Sequence, residues 1–118
     1  KFKIITLVKN LILNIDKNLD SFPKKEIELK QTIRQCSYDL LLVVQEGNVT
    51  SNMVRRMELI EKAIAEIKQL DFLINLCADK KIIHDKKYYK FGESLDMIIR
   101  YLVAWLNATK QLNNRASL

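Results

Sequence analysis

The chain has 118 residues, 48% of them hydrophobic, with a formal net charge of +6, two glycines and one proline. That length gives one domain able to bury a core without disulfides or metals, and so little turn-forming material excludes a fold built of many short strands. The positive balance points to an anionic partner, nucleic acid first and an acidic protein or membrane surface after it.

Apolar residues recur in steps of three and four along four segments, a spacing that lays one stripe on a helix and excludes a strand. The first predicted helix covers residues 2–21, with Ile4, Val8, Leu11, Ile15, Leu19 and Phe22 on its stripe. Pro23 ends it, because the residue before a proline avoids the helical region. The second covers 24–46, with Leu29, Ile33, Cys36, Leu40 and Val43, and Gly47 and Asn48 are its stop signals. Thr50 or Ser51 is the expected N-cap of the third helix, 51–78, which carries Met53, Met57, Ile60, Ile64, Ile67, Leu70, Ile74 and Cys77. Asp85 is the expected cap of the fourth, 85–112, whose stripe is Tyr88, Phe91, Leu95, Ile98, Leu102, Trp105 and Leu112. The last six residues are expected to fray. Gly92 marks either a close helix approach or the true start of this helix.

Short connections between long helices force antiparallel neighbours. The expected fold is all-α, a single up-down-up-down four-helix bundle. Cys36 and Cys77 sit in two different stripes and are expected to be buried free thiols. No apolar run approaches the roughly twenty residues of a membrane span, and no signal-peptide pattern is present, so a cytoplasmic protein is expected. The chain begins at Lys1 without a methionine, from which a few further N-terminal residues are expected.

One stripe per helix would close a monomer, and this chain has more. Residues 40–44 read Leu-Leu-Leu-Val-Val and 11–13 read Leu-Ile-Leu. Ile99, Val103 and Leu106 widen the fourth helix in the same way. Apolar surface outside a small bundle marks an interface, and Leu41, Leu42, Val44, Ile12 and Leu13 are its candidates. A wide core face is the competing explanation.

Charge gathers at the turn between the third and fourth helices, where Lys80, Lys81, His84, Lys86, Lys87 and Lys90 crowd together. Antiparallel topology brings Lys24 and Lys25 to the same end. Such a cluster can hold phosphates in a salt-dependent way, although Asp16, Asp20, Glu26, Asp79 and Asp85 dilute it. Tyr88 and Tyr89 lie nearby, with Tyr88 assigned to the core. Lys30, Arg34, Arg55 and Lys62 are secondary candidates on the flanks of the second and third helices. No metal-ligand spacing, glycine-rich phosphate loop or nucleophile–base pair stands out, so neither metal, cofactor nor enzymatic activity is expected.

Three stretches also carry a resemblance. Phe22-Pro23-Lys24-Lys25, Ile33-Arg34-Gln35-Cys36 and Gln45-Glu46-Gly47-Asn48 are similar to the first turn and second helix of a bacterial four-helix bundle superfamily. It includes proteins encoded in intervening sequences of large-subunit ribosomal RNA genes and the accessory variability determinants of diversity-generating retroelements. Arg55-Arg56-Met57-Glu58-Leu59-Ile60 and Gly92-Glu93, with Ile99-Arg100-Tyr101-Leu102-Val103-Ala104-Trp105-Leu106, resemble the accessory branch. Where many members carry Gly-Gly or Gly-Ser before the tryptophan, this chain carries Val103-Ala104. The resemblance implies a homopentameric barrel of bundles with a basic surface. It implies a non-catalytic accessory protein that binds a partner reverse transcriptase and template RNA or cDNA during mutagenic copying. The ribosomal branch implies a structural bundle with no such partner. A basic amphipathic protein lying on a membrane is a third expectation, one that a closed bundle opposes by hiding its stripes.

Overall fold

The computed structural model describes residues 3–116, and among these every regular element is helical. Helix α1 is Lys3–Leu19, a short 3-10 turn occupies Lys24–Glu26, α2 is Ile27–Val49, α3 is Met53–Asp79 and α4 is Asp85–Ala116. The expected start of α1 at Phe2 lies outside the described residues. α1 packs on α2 and α4, and α3 packs on the same two, so the four helices close a ring around one core. The body measures 55 × 22 × 20 Å, and α4, at 32 residues, spans most of that length at about 1.5 Å per residue.

The stripes form the core. Ile4, Val8, Leu40, Ala63, Ile67, Leu70 and Leu102 are wholly buried, and Ile33, Val44, Ile60, Cys77 and Ile98 are nearly so. Side-chain pairs between neighbours set the register. Lys80 meets Glu26 where α3 ends, Cys36 faces Glu66 midway, and Arg55 meets Glu46 where α3 begins, so α2 and α3 run antiparallel. Asn75 donates to the Tyr88 hydroxyl at 3.1 Å and fixes α3 against α4.

Several boundaries differ from those expected. α1 stops at Leu19, with Ser21 Oγ and the Phe22 N–H donating to the Asn18 and Leu19 carbonyls. α2 runs straight through Gly47 and Asn48 to Val49, with no glycine at positive φ. Gly47 serves close packing instead: a Cβ there would stand 3.3 Å from Trp105 Cη2 and 3.6 Å from Leu59 Cβ. Arg56 supplies the end of α2, donating from Nε to the Gly47 carbonyl at 3.0 Å and from Nη2 to the Thr50 carbonyl at 2.6 Å. These bonds satisfy carbonyls that a helix C-terminus leaves without intrahelical partners.

Asn52, rather than Thr50 or Ser51, caps α3, accepting the Arg55 N–H at 3.0 Å. Among the described residues, the left-handed one is Lys81, at φ 63°. It closes a Schellman turn in which Ile82 N–H reaches the Cys77 carbonyl and Lys81 N–H the Ala78 carbonyl. Asp85 is the first residue of α4, and the backbone carbonyl of His84 accepts the Lys87 and Tyr88 N–H groups. α4 continues past Leu112, so residues 113–116 are helical. Gly92 neither starts this helix nor permits a close approach, since nothing lies within 4 Å of where its Cβ would be.

Candidate nucleic-acid interface

The two turns predicted to share one end of the bundle do so, clamped by Lys80 Nζ, which donates to Glu26 Oε1 at 2.8 Å and Oε2 at 3.1 Å. Glu26 is half-enclosed, and Lys80 is therefore committed to a structural pair. Lys24 and Lys25 stand exposed on the 3-10 turn below it. Lys81 is exposed too, because a left-handed residue at a helix end turns its side chain away from the core. Lys86, Lys87 and Lys90 project from the first two turns of α4, all exposed. No ion pair reaches their amines among the described residues. Asp85 shares that groove and tempers the potential without pairing.

The secondary candidates do not form one surface. Arg34 leans toward α1, its Nε 3.7 Å from Asp16 Oδ1, and Lys30 lies half-buried one turn away on that flank. Arg55, at the start of α3, sits at the α2–α3 seam, held by Glu46 of α2 at 2.9 Å. Lys62 is exposed on α3. The bundle therefore divides these four between two separate seams.

The apolar candidates also divide. Ile12 and Val44 are core residues, 7% and 1% exposed, and are unavailable to another chain. Their spacing already said so: Ile12 is four residues after Val8, and Val44 four after Leu40, which returns each to the core face. Leu41 is half-buried against the core. Leu13 and Leu42 do face outward, 60% and 65% exposed. On α2 an outward stripe of Ile27, Gln31, Gln35, Tyr38, Leu42, Gln45 and Val49 is exposed and uncharged, bordered along one edge by the exposed Glu28 and Glu46. A helix facing only water normally carries charge there.

No protein-family model matches the chain, and no curated protein matches it.

Cys36 and Cys77 are buried free thiols. Burial, reinforced by Glu66, pushes the Cys36 thiol up to about 11; burial, reinforced by Glu26 and opposed by Lys80, pushes Cys77 equally far. Neither is a nucleophile at neutral pH. No group of three or more His, Cys, Asp or Glu among the described residues is placed to hold a metal ion, and no helix is long and apolar enough to cross a membrane.

Sequence reasoning missed three features. Trp105, assigned to the core stripe, does pack against the core but is only half-buried, and its outer side lines a surface groove with Arg56, Tyr101, Ala104, Ala108, Thr109 and Leu112. Tyr88 is half-buried, whereas its neighbour Tyr89 is 71% exposed. Phe72 matches it at 71%; standing two residues from both Leu70 and Ile74, it falls on the side of α3 away from the core, which helical spacing could have revealed.

Proposed function

We propose that this protein is a non-catalytic scaffold that self-associates and holds nucleic acid by its phosphates, serving as the accessory protein of a diversity-generating retroelement. In that role it would work in the cytoplasm and present template RNA or cDNA to a partner reverse transcriptase. The observation that carries the reading is the cluster of exposed lysines at one bundle end, Lys24, Lys25, Lys81, Lys86, Lys87 and Lys90, drawn from two turns that the Lys80–Glu26 pair locks together. Lysines with no carboxylate partner suit phosphate contact, because each phosphate neutralised releases counterions. The uncharged outward stripe of α2 supports assembly, and the resemblance sets the number of copies at five. Repetition of the cluster in an assembly would add avidity to individually weak contacts.

Binding of a labelled RNA and a DNA of equal length, titrated from low to high salt, tests the phosphate reading. Affinity should fall steeply with salt, and changing Lys81, Lys86, Lys87 and Lys90 to Gln should lower both affinity and slope while helicity and mass stay unchanged. A variant that binds as the parent does would reduce the cluster to a solvated bundle end. The retroelement role predicts a reverse transcriptase gene and paired near-repeats in the genomic neighbourhood. Their absence would favour the ribosomal intervening-sequence branch.

A further inference from the structure

The two most exposed large apolar side chains of the described protein are both aromatic, Phe72 on α3 and Tyr89 on α4, each 71% exposed. They belong to adjacent helices. The Asn75–Tyr88 hydrogen bond ties those helices together beside them. Phe72 is three residues from Asn75 and Tyr89 is one from Tyr88, so the two rings leave the surface within about one helical turn of the same level. Their surroundings suit a polyanion. Lys68 is one turn from Phe72 and Lys86 one turn from Tyr89, both exposed, while the exposed Asp85 and Glu93, one turn either side of Tyr89, temper the charge.

Gly92 supplies the third element. It lies one turn beyond Tyr89, with open space where a side chain would be. In a helix interior a glycine costs about 1 kcal/mol relative to alanine, and no packing contact here repays it. Tyr88 stands beside the Tyr89 ring, their centroids 6.2 Å apart, and Gly92 leaves the flank toward the next turn free of a side chain, room for a flat group to approach that ring. Every base has a π-face, so stacking on exposed aromatics binds single strands without regard to sequence. In a duplex those faces are covered by neighbouring base pairs.

We infer that the outer surface shared by α3 and α4 is a stacking platform for single-stranded nucleic acid, in which Phe72 and Tyr89 receive unpaired bases and Lys68 and Lys86 hold the phosphates between them. This rests on the phosphate-binding reading above and deepens it, making the ligand single-stranded rather than duplex. The platform lies away from the outward face of α2, so a copy docked on that face leaves it open.

Fluorescence anisotropy with a labelled single-stranded RNA oligonucleotide and with a duplex of the same length, in one buffer, tests it. The parent should bind the single strand more tightly. Phe72→Ala and Tyr89→Ala should each weaken single-strand binding roughly ten-fold, within the range measured for lost base stacking. Duplex binding and the salt slope should not change. Tyr89→Phe should bind as the parent does, and Gly92→Leu, which fills the cleared flank, should behave like Tyr89→Ala. All three positions lie outside the buried core, so the folded state survives each of the four changes. Equal affinity for the two ligands, or alanine variants that bind the single strand as tightly as the parent, would overturn the platform while leaving the phosphate reading intact. A parent that binds neither ligand would overturn both.

Discussion

Trp105 closes over Gly47, with its Cη2 3.3 Å from the position a Cβ on that glycine would take. The contact joins the C-terminal part of α2 to that of α4 and explains why a glycine survives in mid-helix. A methyl group needs Trp105 to yield by only a few tenths of an ångström, and a half-buried ring beside a groove can do so. A larger group cannot be absorbed. Gly47→Ala should therefore be tolerated, whereas Gly47→Leu should cost about 1–3 kcal/mol, the range for overpacking. Urea denaturation followed by the single tryptophan reads both the midpoint and the displacement of the indole. An unaltered midpoint for Gly47→Leu would mean the two helices stand further apart.

Arg56 performs the capping that Gly47 and Asn48 were expected to supply. Its fork reaches two carbonyls at the end of α2, and charged donors make the stronger hydrogen bonds. Arg56→Ala should lower stability by about 1.5–3 kcal/mol. Arg56→Lys should recover little of it, because one ammonium cannot reproduce the planar fork. Amide exchange in residues 47–52 should quicken in both variants, and full protection in the alanine variant would refute the cap.

Lys81 holds a left-handed conformation that costs an L-residue about 1–2 kcal/mol. Glycine has no Cβ to clash there but brings extra freedom to the unfolded chain. Lys81→Gly should raise stability by about 0.5–1 kcal/mol by thermal or urea unfolding. A loss of stability would mean that the lysine side chain makes a contact at this turn that outweighs its backbone strain.

Leu42 and Val44 separate the proposed assembly from folding. Leu42 is 65% exposed and Val44 1%. In light scattering at micromolar concentration, Leu42→Glu should dissociate the assembly while circular dichroism stays helical. Val44→Glu should unfold the protein, because it buries an unpaired charge. A parent that runs as a clean monomer would remove self-association altogether.

The buried thiols give a pH dependence with a definite sign. Unfolded, each ionises around 9.0; folded, around 11. Between these values the unfolded state holds fewer protons, so stability falls as pH rises from about 9 to 11 and is unaffected by these groups below 9. Replacing both cysteines with Ala should flatten the decline over that window. Alkylation by iodoacetamide at pH 8 should be slow in the native protein and fast in urea, and rapid native labelling would show that the thiols are accessible.

The stripes were legible because a periodic pattern sums many small preferences into one. Ile4 to Leu19, Ile33 to Val43, Ile60 to Cys77 and Phe91 to Leu102 bury as their spacing requires, apart from the partly buried Ile64, whereas Leu112, expected on the last stripe, is 44% exposed. The ends of the helices were less legible. Gly47 and Asn48 are stop signals worth about a kilocalorie, and contacts with Trp105 and Leu59, remote in sequence, override them. Arg56 could not be recognised as a cap because its acceptors lie on a different helix. The lysine cluster was legible from topology alone, since two turns at one end must face the same solvent. The commitment of Lys80 to Glu26 was not, because it depends on which side chains meet. Tyr89 and Tyr88 are adjacent letters with opposite fates, decided by which one finds Asn75.

The uncharged stripe runs along α2 from Ile27, near the lysines, to Val49, toward the opposite end of the bundle. The molecule therefore has polarity, and an assembly inherits it according to symmetry. Copies related by a rotation axis parallel to the bundles all point the same way, and their cationic ends merge into one rim. Copies related by a twofold across the bundles point oppositely, and their cationic ends fall at distant poles. Only the first arrangement lets one short strand touch several subunits at once. In the proposed assembly, the direction of neighbouring helices, more than the number of them, would thus fix whether a polyanion meets one broad site or isolated weak ones.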